Sequence, residues 1–521
     1  MSTSRVVIGG LLTGLVCLSA SGTARASSGI DSPESGVVQA GRGGTGVARA
    51  DDPLAAYFNP AAIASMKSGV HLGAHLMFFD QCFTRLGPGG QPVSPGGGVP
   101  GPGAPGGPAA AVCSEGTPFP NPQLAATFRV HRQLAIGLAV LGPHAAGNAV
   151  WPESIPYTNQ VGVQTTQPSP QRYLLTEQDA LIINPTLSIG YAINDKFSIG
   201  AGFVWGIASI DFVNFTQAVS ATNFDDFNAN GDVKAHISAF DGFIPGVVVG
   251  LHASPIKRLD LAAWFKWQDA VRTRTSLRLE SAYWKAGGQK NDNPCPNLPA
   301  DCNITENEDA GTLKFQIPME ARVGVRYHHP RRAGSLVPKT GPRVRDSIAE
   351  DLFDVELNFT WAHNSDVDNL EVRFDPGTRV NVPGGSPAEV PPNADIPHNW
   401  KDVLGVRLGG DFVVIPGFIA LRAGGFFETN GQDPAYLNPD FHLGYRIGVG
   451  GGATVRIGPV DVSLAYQHTF YETLDNGGDG RVKALSGDAT PGLDFRSRQA
   501  INGGRLESSL NEIALGGTFR F

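Results

Sequence analysis

From Leu313 to Tyr327, apolar and polar residues alternate without interruption. The odd positions are Leu313, Phe315, Ile317, Met319, Ala321, Val323, Val325 and Tyr327; the even ones are Lys314, Gln316, Pro318, Glu320, Arg322, Gly324 and Arg326. A helix would scatter these apolar groups around its circumference, whereas a strand collects them on one face. The run predicts a two-faced strand of fifteen residues. The same dyad recurs in Leu124–Val130, Leu134–Val140, Phe197–Ile207, Leu259–Trp267 and Leu443–Val455. Strands of globular proteins average about 5–6 residues, and a tilted strand crosses a bilayer in about 9–11. These runs therefore predict a membrane barrel whose strands continue past the bilayer.

Fourteen such segments fall near 68–80, 122–131, 133–143, 173–192, 195–214, 235–252, 257–281, 311–329, 351–363, 400–414, 417–428, 441–456, 459–472 and 507–521. Their links alternate between tight turns, such as His131–Gln133 and Ile457–Pro459, and long outer loops at 81–121, 144–172, 215–234, 282–310, 364–399, 429–440 and 473–506. Only 330–350 is long on the short side. Short periplasmic turns, long outer loops and an even strand count are the habits of bacterial outer-membrane barrels. The expectation is an all-β fold, a 14-stranded antiparallel transmembrane β-barrel over 68–521, with both termini periplasmic. The final strand places Ile513, Leu515, Phe519 and the terminal Phe521 on one face, which looks like the signal read by the barrel insertion machinery.

The N-terminus agrees. Arg5, the apolar stretch Val6–Ala20 and Ala24-Arg25-Ala26 read as a secretory signal over residues 1–26. Removing it takes the net charge from −8 to −10, which argues against a nucleic-acid partner. No later apolar run reaches the length of a helical span. Cys82, Cys113, Cys295 and Cys302 remain, and an even count in an exported chain favours disulfides. The local pairings Cys82–Cys113 and Cys295–Cys302 are the simplest. A metal site is the alternative, although no histidine stands beside them at ligand spacing.

Residues 27–67 are not strand-like and are rich in small side chains. A fourteen-stranded barrel leaves a lumen unless something occupies it, so the economical reading is a small hatch, or plug, inside it. The run Gly44-Thr45-Gly46-Val47-Ala48-Arg49-Ala50-Asp51-Asp52-Pro53, followed by Asn59-Pro60-Ala61-Ala62, resembles the N-terminal hatch of the FadL/TodX-type outer-membrane transporters of fatty acids and aromatic hydrocarbons. Ala62 stands where that family has glycine. The resemblance continues through Leu138–Pro143, Ile317–Gly324, Asn399–Asp402 and Leu421–Gly424. It implies a hatch gated around Asp51, Asp52, Asn59, Pro60 and Ala61, ligand capture by outer loops, and passive release through a kinked or laterally open wall. The Gly/Pro-rich stretch Gly87–Pro108 is not a feature of that family.

Candidate ligand contacts are Trp151 and Tyr157 in an outer loop, and the arginines Arg272, Arg274, Arg278, Arg322 and Arg326, taken as facing the lumen. Such arginines either hold a carboxylate head or pair with Glu280, Glu320 or the hatch. Phe78 and Phe79 fit an interfacial girdle. Gly41–Gly46 matches a G-x-G-x-x-G string but lacks the strand and helix that a dinucleotide site needs. No nucleophile elbow or phosphate loop is present. The function expected is passive uptake of hydrophobic small molecules, without catalysis, cofactor or metal, by a protein whose other partners are outer-membrane lipid and the insertion machinery. A polar-solute porin, a lipid hydrolase or a structural barrel are the rivals.

Overall fold

The computed structural model describes residues 35–49, 51–90, 111–115, 118–142, 144–158, 163–217, 229–285, 288–331, 344–485 and 496–521. The expected leader at 1–26 and most of Gly87–Pro108 lie outside the described residues.

Long two-faced strands cannot leave their backbone groups unpaired in lipid, and closure into a barrel satisfies all of them. Fourteen antiparallel strands do this: β1 (Gly69–Arg85), β2 (Phe119–Arg129), β3 (Leu134–Leu141, continued by His144–Val150), β4 (Glu177–Ile183, continued by Thr186–Ala192), β5 (Phe197–Gln217), β6 (Asp232–Ile256), β7 (Leu259–Gln268, continued by Val271–Glu280), β8 (Ile304–Phe315, continued by Glu320–Pro330), β9 (Asp351–Ala362, continued by Asn369–Phe374), β10 (Val403–Ile415), β11 (Ile419–Glu428), β12 (Arg446–Ile457), β13 (Val460–Tyr471) and β14 (Gly504–Arg520). Each pairs with its neighbours in sequence, and β14 closes on β1 from Gly69↔Arg520 to Arg85↔Gly504. Among the described residues no helix is long and apolar enough to cross a membrane.

We call the end carrying Gly69 and Phe521 the lower end. Around the lower barrel, outward side chains such as Leu72, Leu187, Val323, Leu408 and Leu515 are 50% to 67% exposed. Water would not tolerate so continuous an apolar belt, but hydrocarbon does. Aromatic rings border it: Phe128 meets Phe521 at 6.0 Å below, and Trp205 meets Phe243 at 4.8 Å above. Phe79 stands in the upper border, against Tyr471 at 5.6 Å.

Above this belt the two faces exchange character, and two expectations fail there. The alternation Leu313–Tyr327 is not one strand face. Val323, Val325 and Tyr327 face outward, whereas Leu313, Phe315 and Ile317 are buried in the interior. The cause is the break Gln316–Met319, where Pro318 has no N–H for the ladder and the side-chain parity shifts. In β7 the shift falls at Asp269–Ala270: Asp260, Trp264 and Lys266 point inward below it, Leu277 and Leu279 above it. Arg272, Arg274 and Arg278 consequently lie on the outside of the wall, not in the lumen. A strand that leaves the bilayer meets water outside, so its polar set turns outward.

Residues 35–49 and 51–66 are largely buried against the inward face of the wall, with two short helices, α1 (Val37–Gly41) and α2 (Ala55–Phe58), and a 3-10 turn at Ala62–Ser65. Glycines on the inward face of the wall make room for it. A Cβ on Gly200 would stand 2.3 Å from the Pro60 carbonyl carbon, and one on Gly424 or Gly450 would stand 2.1 or 2.3 Å from the carbonyl oxygens of Arg42 or Ala40. Glycine weakens a strand except where another backbone comes this close. Cys82 joins Cys113 and Cys295 joins Cys302 as disulfides.

Candidate functional site

Two interior regions stand above one another. The lower is a buried ionic anchor for the N-terminal segment. Arg42 donates to Asp354 and Asp411, each at 2.7 Å, and to Glu356 at 3.3 Å. Glu356 in turn accepts the backbone N–H groups of Ala48 at 2.9 Å and Gly46 at 3.1 Å. Arg49 reaches Asp411 at 2.6 Å and Asp51 at 3.1 Å. The inward faces of β9 and β10 thus supply the carboxylates, and the segment supplies the guanidinium groups.

The expected gating residues lie within this segment. Asp52 accepts from the Leu54 N–H at 2.8 Å and from Gln39 at 3.1 Å. Asn59 is fully buried, donates to the Val47 carbonyl at 2.8 Å, and accepts the Ala61 N–H at 3.2 Å. It therefore holds the Pro60–Ala61 turn against β5 and β6, beside Gly200 and Gly250. Arg322 and Arg326 belong to this lower region too. Arg322 pairs with Glu320 at 2.8 Å and lies 4.6 Å over the Trp264 ring. Arg326 is held by Asp260 at 3.2 Å and by Asp351 and Asp354, each at 2.8 Å. These arginines brace the wall.

Above the strand breaks, the inward-turned apolar side chains line a cavity that opens to solvent. Phe212 and Phe215 of β5, Val233, Ala235 and Ile237 of β6, Leu277 and Leu279 of β7, and Leu370, Val372 and Phe374 of β9 form its barrel side. Loop residues Tyr173, Leu174, Val380, Val390, Val482 and Ile501 complete it. Phe215 stacks on Trp284 at 5.6 Å and meets Tyr283 at 5.2 Å. Burial, and then the Glu153 carboxylate it donates to, push the Tyr283 phenol above its ordinary value. Tyr173 donates to Asp232 at 2.5 Å, and Asp232 also pairs with Arg172 at 2.6 Å. Next to the cavity, Phe315, Trp400 and Phe441 pack on one another at 5.4 to 6.3 Å.

Trp151, expected as a ligand contact in an outer loop, is buried in the same apolar cluster and is not among the residues that line the cavity. Tyr157 sits on the loop strand Ser154–Thr158, and its side chain lies outside the described residues. Arg274 pairs with Asp309 and Asp375 on the outer surface, and Arg272 is 58% exposed there. Sequence reasoning missed the cavity residues and the acceptors Asp354, Glu356 and Asp411. The available signal was the change of partner in the alternation, since the polar residues above the breaks are surface charges.

No protein-family model matches the chain, and no curated protein matches it in sequence. Solved structures do. A crystal structure of a Pseudomonas aeruginosa FadL homologue aligns with a TM-score of 0.65 at 17% identity, over 95% of this chain and 100% of that one. The P. putida toluene transporter TodX aligns with a TM-score of 0.56 at 12% identity, over 95% of this chain and 99% of that one. A TodX variant described as a monoaromatic hydrocarbon channel gives 0.55 at 13%, over 93% and 99%. The alignments cover nearly the whole of each chain at low identity, and this chain has the fourteen-stranded barrel fold of the FadL/TodX-type outer-membrane transporters.

Proposed function

We propose that the protein is a passive outer-membrane channel for small hydrophobic molecules, with residues 35–66 acting as its hatch. The observation that carries this reading is the apolar cavity at the outer end of a barrel whose lower interior is polar and occupied. A concave, mostly apolar space with few polar groups is the usual form of a site for such ligands. The occupied lower barrel speaks against an open polar pore. The solved relatives named for toluene and monoaromatic hydrocarbons support the same class of cargo.

In this reading ligand leaves the water at the outer mouth, rests in the cavity, and passes on without a catalytic step or coupled energy. A side exit fits β3: its outer part, His144–Val150, is paired with β4, and the described β2–β3 ladder ends at Gln123↔Leu141. The termini lie in the periplasm, the belt is solvated by outer-membrane lipid, and the strand ending in Phe521 engages the insertion machinery. Uptake of labelled toluene and labelled oleate by cells with and without the protein tests the reading. Faster uptake of at least one is expected, and equal uptake of both would remove it.

A further inference from the structure

Resting on that transport reading, we infer that the cavity selects uncharged hydrophobes and rejects the carboxylate form of the same chain. Its ionisable lining is acidic: Glu389, Asp395 and Asp440, against the single lysine Lys483. The groups that pair with these carboxylates stand outside the lining. Arg379 lies 3.8 Å from Glu389, Arg373 lies 2.6 Å from Asp395, and His398 Nε2 donates to Asp440 at 2.9 Å. Asp395 and Asp440 are themselves buried, whereas Lys483 is exposed.

The arginines that the sequence offers for an acid head are elsewhere. Arg272 and Arg274 are on the outer surface, and Arg322 and Arg326 are spent on carboxylates near the N-terminal segment. Arg172 is bound to Asp232. A carboxylate entering the cavity gives up its hydration. It then meets the buried Asp395 and Asp440 and, among the described lining residues, no buried cation to replace that hydration. A hydrocarbon loses nothing comparable. A hydroxyl on the ligand can donate to Asp440, whose oxygens accept from His398 and, at 2.7 Å, from the Phe441 N–H and keep lone pairs to spare.

The test compares oleyl alcohol, toluene and oleate on the purified full-length barrel at a pH that keeps oleate ionised. The alcohol is expected to bind at least about tenfold more tightly than the acid of the same chain length. In Leu277→Lys, which sets a cation inside the wall, oleate should gain about tenfold or more over the alcohol. Leu277→Lys, Lys483→Gln and wild type are first checked for heat-modifiable barrel mobility. Oleate binding as tight as the alcohol overturns the inference, and so does tight oleate binding that Lys483→Gln abolishes. If none of the three compounds binds, the transport reading itself falls, an outcome distinct from the loss of selectivity.

Discussion

Leu313 and Val323 belong to one unbroken alternation, yet Leu313 is 1% exposed inside the barrel and Val323 is 50% exposed on its lipid-facing belt. Ten positions apart on the same side of a period of two, they face opposite directions because the ladder is interrupted at Gln316–Met319. The chain meets apolar surroundings twice, first as lipid outside the lower barrel and then as a cavity inside the upper one.

That assignment predicts opposite sensitivities to charge. Val323→Arg should destabilise the barrel in vesicles by about 2–4 kcal/mol, the cost of a cation on the lipid face near mid-bilayer. Thr312→Arg, on the exposed outer face of the upper segment, should change stability by less than about 0.5 kcal/mol. Denaturant unfolding in vesicles measures both, and equal costs would contradict the placement of the break.

Removing Arg42 should loosen the N-terminal segment more than any single apolar truncation within it. Its guanidinium answers Asp354, Asp411 and Glu356 in a space with almost no water access. Breaking a buried ion pair on one side costs about 3–5 kcal/mol, because the partner charges stay buried. Arg42→Ala is expected to expose residues 35–66 to added protease and to raise single-channel conductance. Arg42→Lys should rescue only in part, since an ammonium group cannot span three carboxylates as a guanidinium does.

The barrel itself was legible because alternation and loop-length parity are local patterns that lipid enforces on every strand. Fourteen strands and a buried N-terminal segment follow from Leu124–Val130, Leu259–Trp267 and the small residues around Gly44. The apolar cavity was not legible, because alternation tells which residues share a face and not which medium that face meets. Arg272 and Arg326 are both arginines on alternating strands, and only the parity shift at Asp269–Ala270 and Gln316–Met319 puts one outside and the other inside. The acceptors Asp354, Glu356 and Asp411 were hidden for a different reason: they lie more than 300 residues from Arg42 in sequence.

The two disulfides should contribute unequally. Cys82–Cys113 closes a span of 31 residues, and the chain-entropy relation gives about 3–4 kcal/mol for such a loop. Cys295–Cys302 closes 7 residues and should give about 2 kcal/mol. Denaturation midpoints of Cys82→Ser/Cys113→Ser and Cys295→Ser/Cys302→Ser, each against wild type, order the two; a larger loss from the shorter loop would argue against the entropic account.

A close backbone approach between wall and N-terminal segment, away from the ionic anchor, gives a test of the hatch that leaves that anchor intact. Gly200 has no side chain because a Cβ there would stand 2.3 Å from the Pro60 carbonyl carbon and 2.4 Å from the Ala61 nitrogen. Both are backbone atoms, so the segment must move. Gly451, on the wall at β12, has its nearest neighbour for a Cβ at 3.7 Å, an ordinary contact. Gly200→Ala should therefore displace the Pro60–Ala61 turn while the strand ladder survives, because alanine adds no charge and β5 keeps its hydrogen bonds to β4 and β6. The expected result in planar bilayers is a higher and noisier conductance for Gly200→Ala and wild-type behaviour for Gly451→Ala. A quiet Gly200→Ala channel would mean that the Asn59–Ala61 turn does not close the pore.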